Sequence, residues 1–346
     1  MHTNNRNRLV GILVVLAVIT TAIITENRHQ PPTLLNRAHK VTALKDWNQK
    51  QANYFWLSDQ EILLVTHADD EFSKTTFQAQ HLNTQTGVFA QDVKLETALN
   101  KISGDIVVPK WQLSPDAQWL LIAGSIQNIS VVWIATAVDG SKQIVRPRQQ
   151  NYEDDRLYTV WQPGSGSWVQ ILEQANQVYA YNYSLKSAIV TTHIENTNLN
   201  GNVAIGFYSP DRLLCMRPQT GDGGGIGVMD LGTNAASAPV RNYLLNIPPN
   251  MDVQEIIMSP DRKLLAWKFA VKSLPLGLKS TINSDFVRRS APAAAGLWVS
   301  DLNGNDLREI GTLDIRDDSI SNVRWTPDGT RLSFIDAGDL YTVPIN

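Results

Sequence analysis

A hydroxyl and a carboxylate two residues apart recur along the chain, at Leu113-Ser-Pro-Asp116, Tyr208-Ser-Pro-Asp211, Met258-Ser-Pro-Asp261 and, with threonine for serine, Trp325-Thr-Pro-Asp328. Such a pair could supply a nucleophile with its acid partner, or oxygen ligands to a cation. Two degenerate copies argue otherwise. Trp56-Leu-Ser-Asp59 has lost the proline, and Trp161-Gln-Pro-Gly164 has lost both the serine and the aspartate. What never fails is the large apolar residue three positions before the turn: Trp56, Leu113, Trp161, Tyr208, Met258 and Trp325. The sequence maintains a turn and the core it points into. Proline presets φ at the second turn position, and Ser and Asp bond nearby backbone amides.

The remaining chemistry-bearing residues do not converge. The six histidines (His2, His29, His39, His67, His81 and His193) show no metal-ligand spacing. The single cysteine, Cys215, stands between Leu214 and Met216 and reads as a small buried hydrophobe. Gly221-Asp-Gly-Gly-Gly-Ile-Gly227 lacks the order of a phosphate-binding loop and reads as a strand connection. Asp301-Leu-Asn-Gly-Asn-Asp306 starts like a calcium loop but carries Asp306 at its sixth position and Thr312 at its twelfth, so it reads as an Asn-Gly hairpin. Asp69-Asp70-Glu71 and Glu153-Asp154-Asp155 are adjacent carboxylates that rarely share one ion and read as solvated loops. No Gly-x-Ser-x-Gly elbow is present. We therefore expect no catalytic residue, no cofactor and no metal site.

The elements that position these turns are strands. Four residues after the turn position stand Leu63, Leu120, Leu265 and Leu332, and six after it stand Val65, Ile122, Trp267 and Phe334. This period of two marks a strand with one face buried. A third strand comes next, as at Val131–Ile134, Val178–Tyr181, Ile226–Met229, Leu297–Ser300 and Leu340–Val343, and a fourth leads into the next unit. No segment past the N-terminus shows helical periodicity beyond two turns. Six units of four antiparallel strands, spaced 47 to 67 residues apart at their turns, predict a β-propeller. A sandwich gives no reason for one turn to recur in register. The last unit ends after its third strand, at Asn346, so Val41-Thr-Ala-Leu44 is expected to supply the fourth.

Thr326-Pro-Asp-Gly-Thr-Arg-Leu-Ser-Phe334 resembles the PD40 (WD40-like) repeat of TolB-type propellers, with its Trp-Ser-Pro-Asp-Gly turn and subsequent Leu-Ala-Phe. The resemblance covers about 54–346 and implies a fold, since the family spans periplasmic scaffolds, peptidase-associated propellers and others. Asp328 alone is followed by the family's glycine. Gln60, Ala117, Arg212 and Arg262 hold that place elsewhere, which implies turns of a type that tolerates a side chain.

The N-terminus is separate. Leu9–Thr25 is an almost unbroken apolar stretch of 17 residues behind Arg6 and Arg8. That length suits a short signal anchor or a removed signal peptide, and the arginines place the chain beyond Glu26 on the outer side. The expected organisation is a signal anchor or peptide over 1–25, a linker over 26–38, and an all-β six-bladed propeller of four-stranded blades over 39–346. A net charge of −3 and only 18% charged residues argue against nucleic acid as a partner.

Function is expected where the blades differ. The loops 67–75, 147–158, 218–225 and, longest, about 271–295 open on one face, and carry Asp69, Asp70, Glu71, Lys272, Lys279, Phe286, Arg288 and Arg289 as candidate partner-binding residues. The reading is a membrane-anchored, extracytoplasmic scaffold (or a secreted one after cleavage) that binds protein partners in a cell-envelope complex. The alternative is a small-ligand or calcium-dependent hydrolase-like propeller using the central channel, although inner strands rich in Trp, Leu, Tyr, Ile and Met disfavour it.

Overall fold

The computed structural model describes residues 33–44, 51–69, 75–103, 107–126, 129–145, 157–164, 166–174, 177–185, 190–194, 203–209, 212–217, 225–230, 241–246, 251–271, 296–313 and 320–346. Among them, 24 strands form six four-stranded antiparallel sheets. The first holds β2 (Gln51–Ser58), β3 (Glu61–Asp69), β4 (Thr75–Asn83) and β5 (Phe89–Gln91). The second holds β6 (Val107–Leu113), β7 (Trp119–Ile126), β8 (Ile129–Ala137) and β9 (Gln143–Val145). The third holds β10 (Leu157–Trp161), β11 (Ser167–Gln174), β12 (Gln177–Ser184) and β13 (Val190–Ile194). The fourth holds β14 (Val203–Ser209), β15 (Arg212–Arg217), β16 (Gly225–Asp230) and β17 (Arg241–Asn246). The fifth holds β18 (Met251–Met258), β19 (Leu264–Val271), β20 (Gly296–Asp301) and β21 (Arg308–Thr312). The last holds β22 (Ser321–Trp325), β23 (Arg331–Asp336) and β24 (Asp339–Pro344), with β1 (His39–Ala43) outermost.

Contacts between sheets run through their first strands, β10 to β14, β14 to β18 and β18 to β22. All six first strands line one cavity. The chain is a β-propeller.

The repeated turn sets the register. Leu113 pairs Leu120, Trp161 pairs Trp168, Met258 pairs Leu265 and Trp325 pairs Leu332, a common spacing of seven. The third copy, the most diverged in sequence, is therefore in step, with Trp168 in the leucine place. The positions four and six after the turn are buried as expected. So are those between them, Leu64, Leu121, Ala266 and Ser333. Second strands are covered on both faces because each sheet packs against two neighbours.

The strand supplied from upstream is present. His39 pairs Thr342 and Ala43 pairs Asp339, and the Leu44 amide donates to the Gly338 carbonyl at 2.9 Å. Lys40 pairs with Asp339 at this seam.

Two expectations are corrected. The end of the presumed linker is part of the fold: α1 (Leu34–Arg37) buries Leu34, while Thr33 and Thr312 exchange hydrogen bonds and Arg37 donates to the carbonyls of Ile310 and Asn346. Gly311 permits this approach, because a Cβ there would lie 2.7 Å from Leu34 Cα. The second correction is α2 (Val93–Ser103), three turns of helix between β5 and β6. Leu95, Ala98 and Leu99 are buried at helical spacing beside Phe77 and Trp111. Asp92 caps its start, accepting the Leu95 amide at 3.0 Å, and the Asn100 amide group bonds both backbone groups of Phe77.

Among the described residues no helix is long and apolar enough to cross a membrane; the stretch 9–25 lies outside them.

Candidate functional site

The turns consume their own polar groups. Ser114 Oγ donates to Asp116 Oδ1 at 2.6 Å and accepts the Trp119 amide at 2.9 Å, while Asp116 Oδ1 also accepts the Gln118 amide at 3.1 Å. Ser259 and Asp261 repeat the pattern at 2.7 Å, and Thr326 and Asp328 at 2.6 Å. The Ser259 hydroxyl holds the Asp261 carboxyl below the usual carboxylate range. Asp301 similarly accepts the amides of Asn303 and Asn305, so the calcium-like loop is a hairpin turn. Among the described residues no cluster of three His, Cys, Asp or Glu side chains could hold a metal ion. Cys215 is buried in β15, and burial pushes its thiol up to about 12.

One expectation about these turns fails. Ala117 and Arg262 do not adopt a turn that spares a side chain; they take φ of 56° and 59°, the left-handed region that Gly329 occupies at 68°. At Arg262 the arrangement has a use. Its Nε and Nη2 donate to the Phe207 carbonyl at 3.2 and 2.6 Å, tying the fifth turn to β14 of the neighbouring sheet. Trp325 Nε1 ties β22 to the Ile257 carbonyl of β18 at 2.9 Å, and the Tyr54 hydroxyl ties β2 to the Asn322 carbonyl of β22 at 2.6 Å.

These inner strands enclose a central cavity of about 630 Å³. Five of the six apolar positions that never fail, Trp56, Leu113, Trp161, Met258 and Trp325, line it, together with turn residues such as Pro115, Pro260 and Pro327; in β14 Phe207 takes the place of Tyr208. The cavity therefore opens at the turn ends of the strands. The β3–β4 connection, where Asp69 pairs Thr75, lies at the opposite strand ends. Asp70, Glu71, Lys272, Lys279, Phe286, Arg288 and Arg289 lie outside the described residues, as do 147–156 and 218–224.

Three charged residues line the cavity, and sequence reasoning singled out none of them for a site: Asp116, Arg262 and Arg324. Arg324 is the informative one. Its Cζ stands 4.8 Å from the Phe55 ring centroid and 5.6 Å from that of Tyr54, within cation–π range. Its Nε is buried without a hydrogen-bond partner among the described residues. Glu255, on β18, is the carboxylate it feels. Burial pushes that carboxyl above its usual range, against the pull of Arg324 and Lys268. Burial likewise draws Arg324 below its usual value, though a guanidinium stays charged.

The backbone sets this up. The β22–β23 register shifts between Ser321 and Arg324, and Asn322 within the bulge has φ of 53°. A bulge with a left-handed residue re-aims the side chains after it. One signal was present in the sequence. In the row just before the large apolar residue stand Phe55, Gln112, Val160, Phe207, Ile257 and Arg324, and only the last is charged.

No family model matches the sequence, and no curated protein matches it. Solved structures with a similar chain path include TolB from Acinetobacter baumannii, 13% identical with a TM-score of 0.48, covering 82% of this chain and 63% of that one. A TolB from Agrobacterium tumefaciens is 11% identical with a TM-score of 0.49, covering 85% and 89%. An oligogalacturonate lyase in complex with manganese is 10% identical with a TM-score of 0.49, covering 89% and 96%. The likeness is one of fold. This chain spans less than two thirds of the Acinetobacter protein.

Proposed function

We propose that the chain is a protein-interaction propeller of the cell envelope, without catalysis of its own, in which each four-stranded sheet is one blade of a closed six-bladed ring. The observation that carries this reading is the lining of the central cavity. Six inner strands present aromatic and aliphatic side chains there, while the repeated Ser or Thr hydroxyls and Asp carboxylates of the second, fifth and last sheets are bonded within their own turns. That arrangement offers shape and apolar area to a partner, with few groups free to move a proton.

The apolar stretch 9–25 behind Arg6 and Arg8 supports an extracytoplasmic position, anchored or secreted after cleavage. The long loop 272–294, with Lys272, Lys279, Phe286, Arg288 and Arg289, and the acidic Asp69, Asp70 and Glu71 are proposed as a second contact region at the other strand ends.

Co-purification from detergent-solubilised membranes tests the reading. The full chain is expected to retain a specific protein partner, and the variant lacking 272–294 to retain less of it. Absence of any partner, together with a calcium-dependent rise in melting temperature, would instead favour a ligand-binding or hydrolase-like propeller.

A further inference from the structure

We infer that Arg324 anchors a carboxylate carried by an extended peptide segment of the protein partner, received in the central cavity from the turn ends. This rests on the interaction reading above and specifies its chemistry.

The first argument is an unmet bonding requirement. A guanidinium carries five N–H donors and no acceptor, and removing it from water is costly unless those donors are used. Phe55 and Tyr54 flank the Arg324 group as π faces, which bind charge but accept none of its in-plane hydrogen bonds. The Tyr54 hydroxyl is itself committed, bonding Asn322 O at 2.6 Å and Ser333 Oγ at 2.9 Å. Among the described residues Arg324 Nε has no acceptor.

The second argument is charge at the wall. Of the three charged residues lining the cavity, Arg262 spends its donors on the Phe207 carbonyl and Asp116 is held by Ser114. Arg324 remains, its charge met only in part by Glu255 on β18, in a chamber where an attraction to an anion is screened far less than at the surface.

The third argument is what surrounds the charge. A lone inorganic anion would leave most of the roughly 630 Å³ cavity, walled by Trp56, Trp325, Phe207 and Met258, unfilled. An acidic side chain flanked by apolar ones satisfies both the fork and the walls. Arg324 also breaks the ring's symmetry, since its counterparts in the other sheets are uncharged. One cation in one sector fixes the rotational position of a segment on the axis.

The test uses the full chain and two equimolar tripeptide mixtures, acetyl-X-Glu-X-amide and acetyl-X-Gln-X-amide, with X drawn from Leu, Phe, Met, Val and Trp. Retention is measured by equilibrium dialysis and mass spectrometry. The glutamate set should be retained about tenfold or more over the glutamine set, the size of one charge-assisted hydrogen-bond pair. Arg324→Gln should abolish the preference and Arg324→Lys should keep part of it. Circular dichroism melting establishes that each variant is folded. If Arg324→Gln does not fold, the wild-type comparison and Arg324→Lys still decide. Equal retention of both sets, retention of neither, or a preference surviving in folded Arg324→Gln overturns the inference. So does tighter retention of 3-phenylpropionate than of any peptide, which would make the occupant a small carboxylate. A partner that co-purifies equally with wild type and Arg324→Gln removes the anchor and leaves the interaction reading standing. Glutamate-selective retention with no co-purifying protein does the reverse.

Discussion

Ala117 shows what a single residue costs this fold. A left-handed alanine is strained by about 1 kcal/mol, and glycine at the same place relieves that while loosening the unfolded chain by a comparable amount. Ala117→Gly is therefore expected to be neutral to stabilising by up to about 1 kcal/mol in chemical denaturation, and Ala117→Val to be destabilising. Tyr54 lies at the opposite extreme. Its hydroxyl bridges the first and last sheets, so Tyr54→Phe leaves the Asn322 carbonyl short of a donor and should cost about 1–3 kcal/mol. Unchanged stability would show that the bridge between these sheets carries no weight. The turn was legible in the sequence because Pro and Asp act locally. The left-handed φ at Ala117 and Arg262 was not, because the hydrogen bonds that enforce it come from strand register, as when Ser114 N meets Trp119 O at 2.8 Å. Arg324 was hidden for the same reason. Its burial stems from a bulge at Asn322 and from Phe55, some 270 residues away in sequence.

The elements were read more easily than the residues. Strand after strand can be placed from period-two alternation and a recurring turn, and so can β1, since the last unit lacked a fourth strand. α2 was missed although Leu95, Ala98, Leu99 and Ile102 are at helical spacing. Eleven residues with polar Lys94, Glu96, Thr97 and Asn100 between them look like a loop until Phe77 and Trp111 supply the surface to pack on. Leu44, only 6% exposed beside Tyr54, Ile335 and Leu340, tests the seam formed by β1. Leu44→Ala should destabilise by about 2–5 kcal/mol, read from the midpoint and slope of urea unfolding. Gly311→Ala tests α1 in the same assay: with no room for a Cβ against Leu34, it should lower the midpoint, and an unchanged curve would mean that 33–38 can detach without loss.

At the scale of the whole molecule, the turns act together in acid. The Ser259 hydroxyl lowers the Asp261 carboxyl, and the Ser141 hydroxyl and amide lower that of Asp139. Burial works against Asp328, yet hydrogen bonds from Thr326 and Thr330 still hold it low. A carboxyl depressed in the folded state contributes stability at pH above its unfolded value, about 3.9, and loses it as pH falls through the folded value. Thermal melts should therefore fall progressively below about pH 4, and Asp261→Asn should flatten part of that fall.

The pairing of β1 with β24 has a consequence in time. The two strands are separated by about 300 residues of chain, and a ribosome adding about 5–20 residues per second needs some 15–60 s to make them. Through that interval the nascent protein holds the first piece of its seam with nothing to fasten it to. Leu44, buried in the finished molecule, lacks its Ile335 and Leu340 neighbours until β23 and β24 emerge. Closure of this seam is thus tied to the synthesis of β24, and a chain that stalls short of residue 339 has no means of locking it.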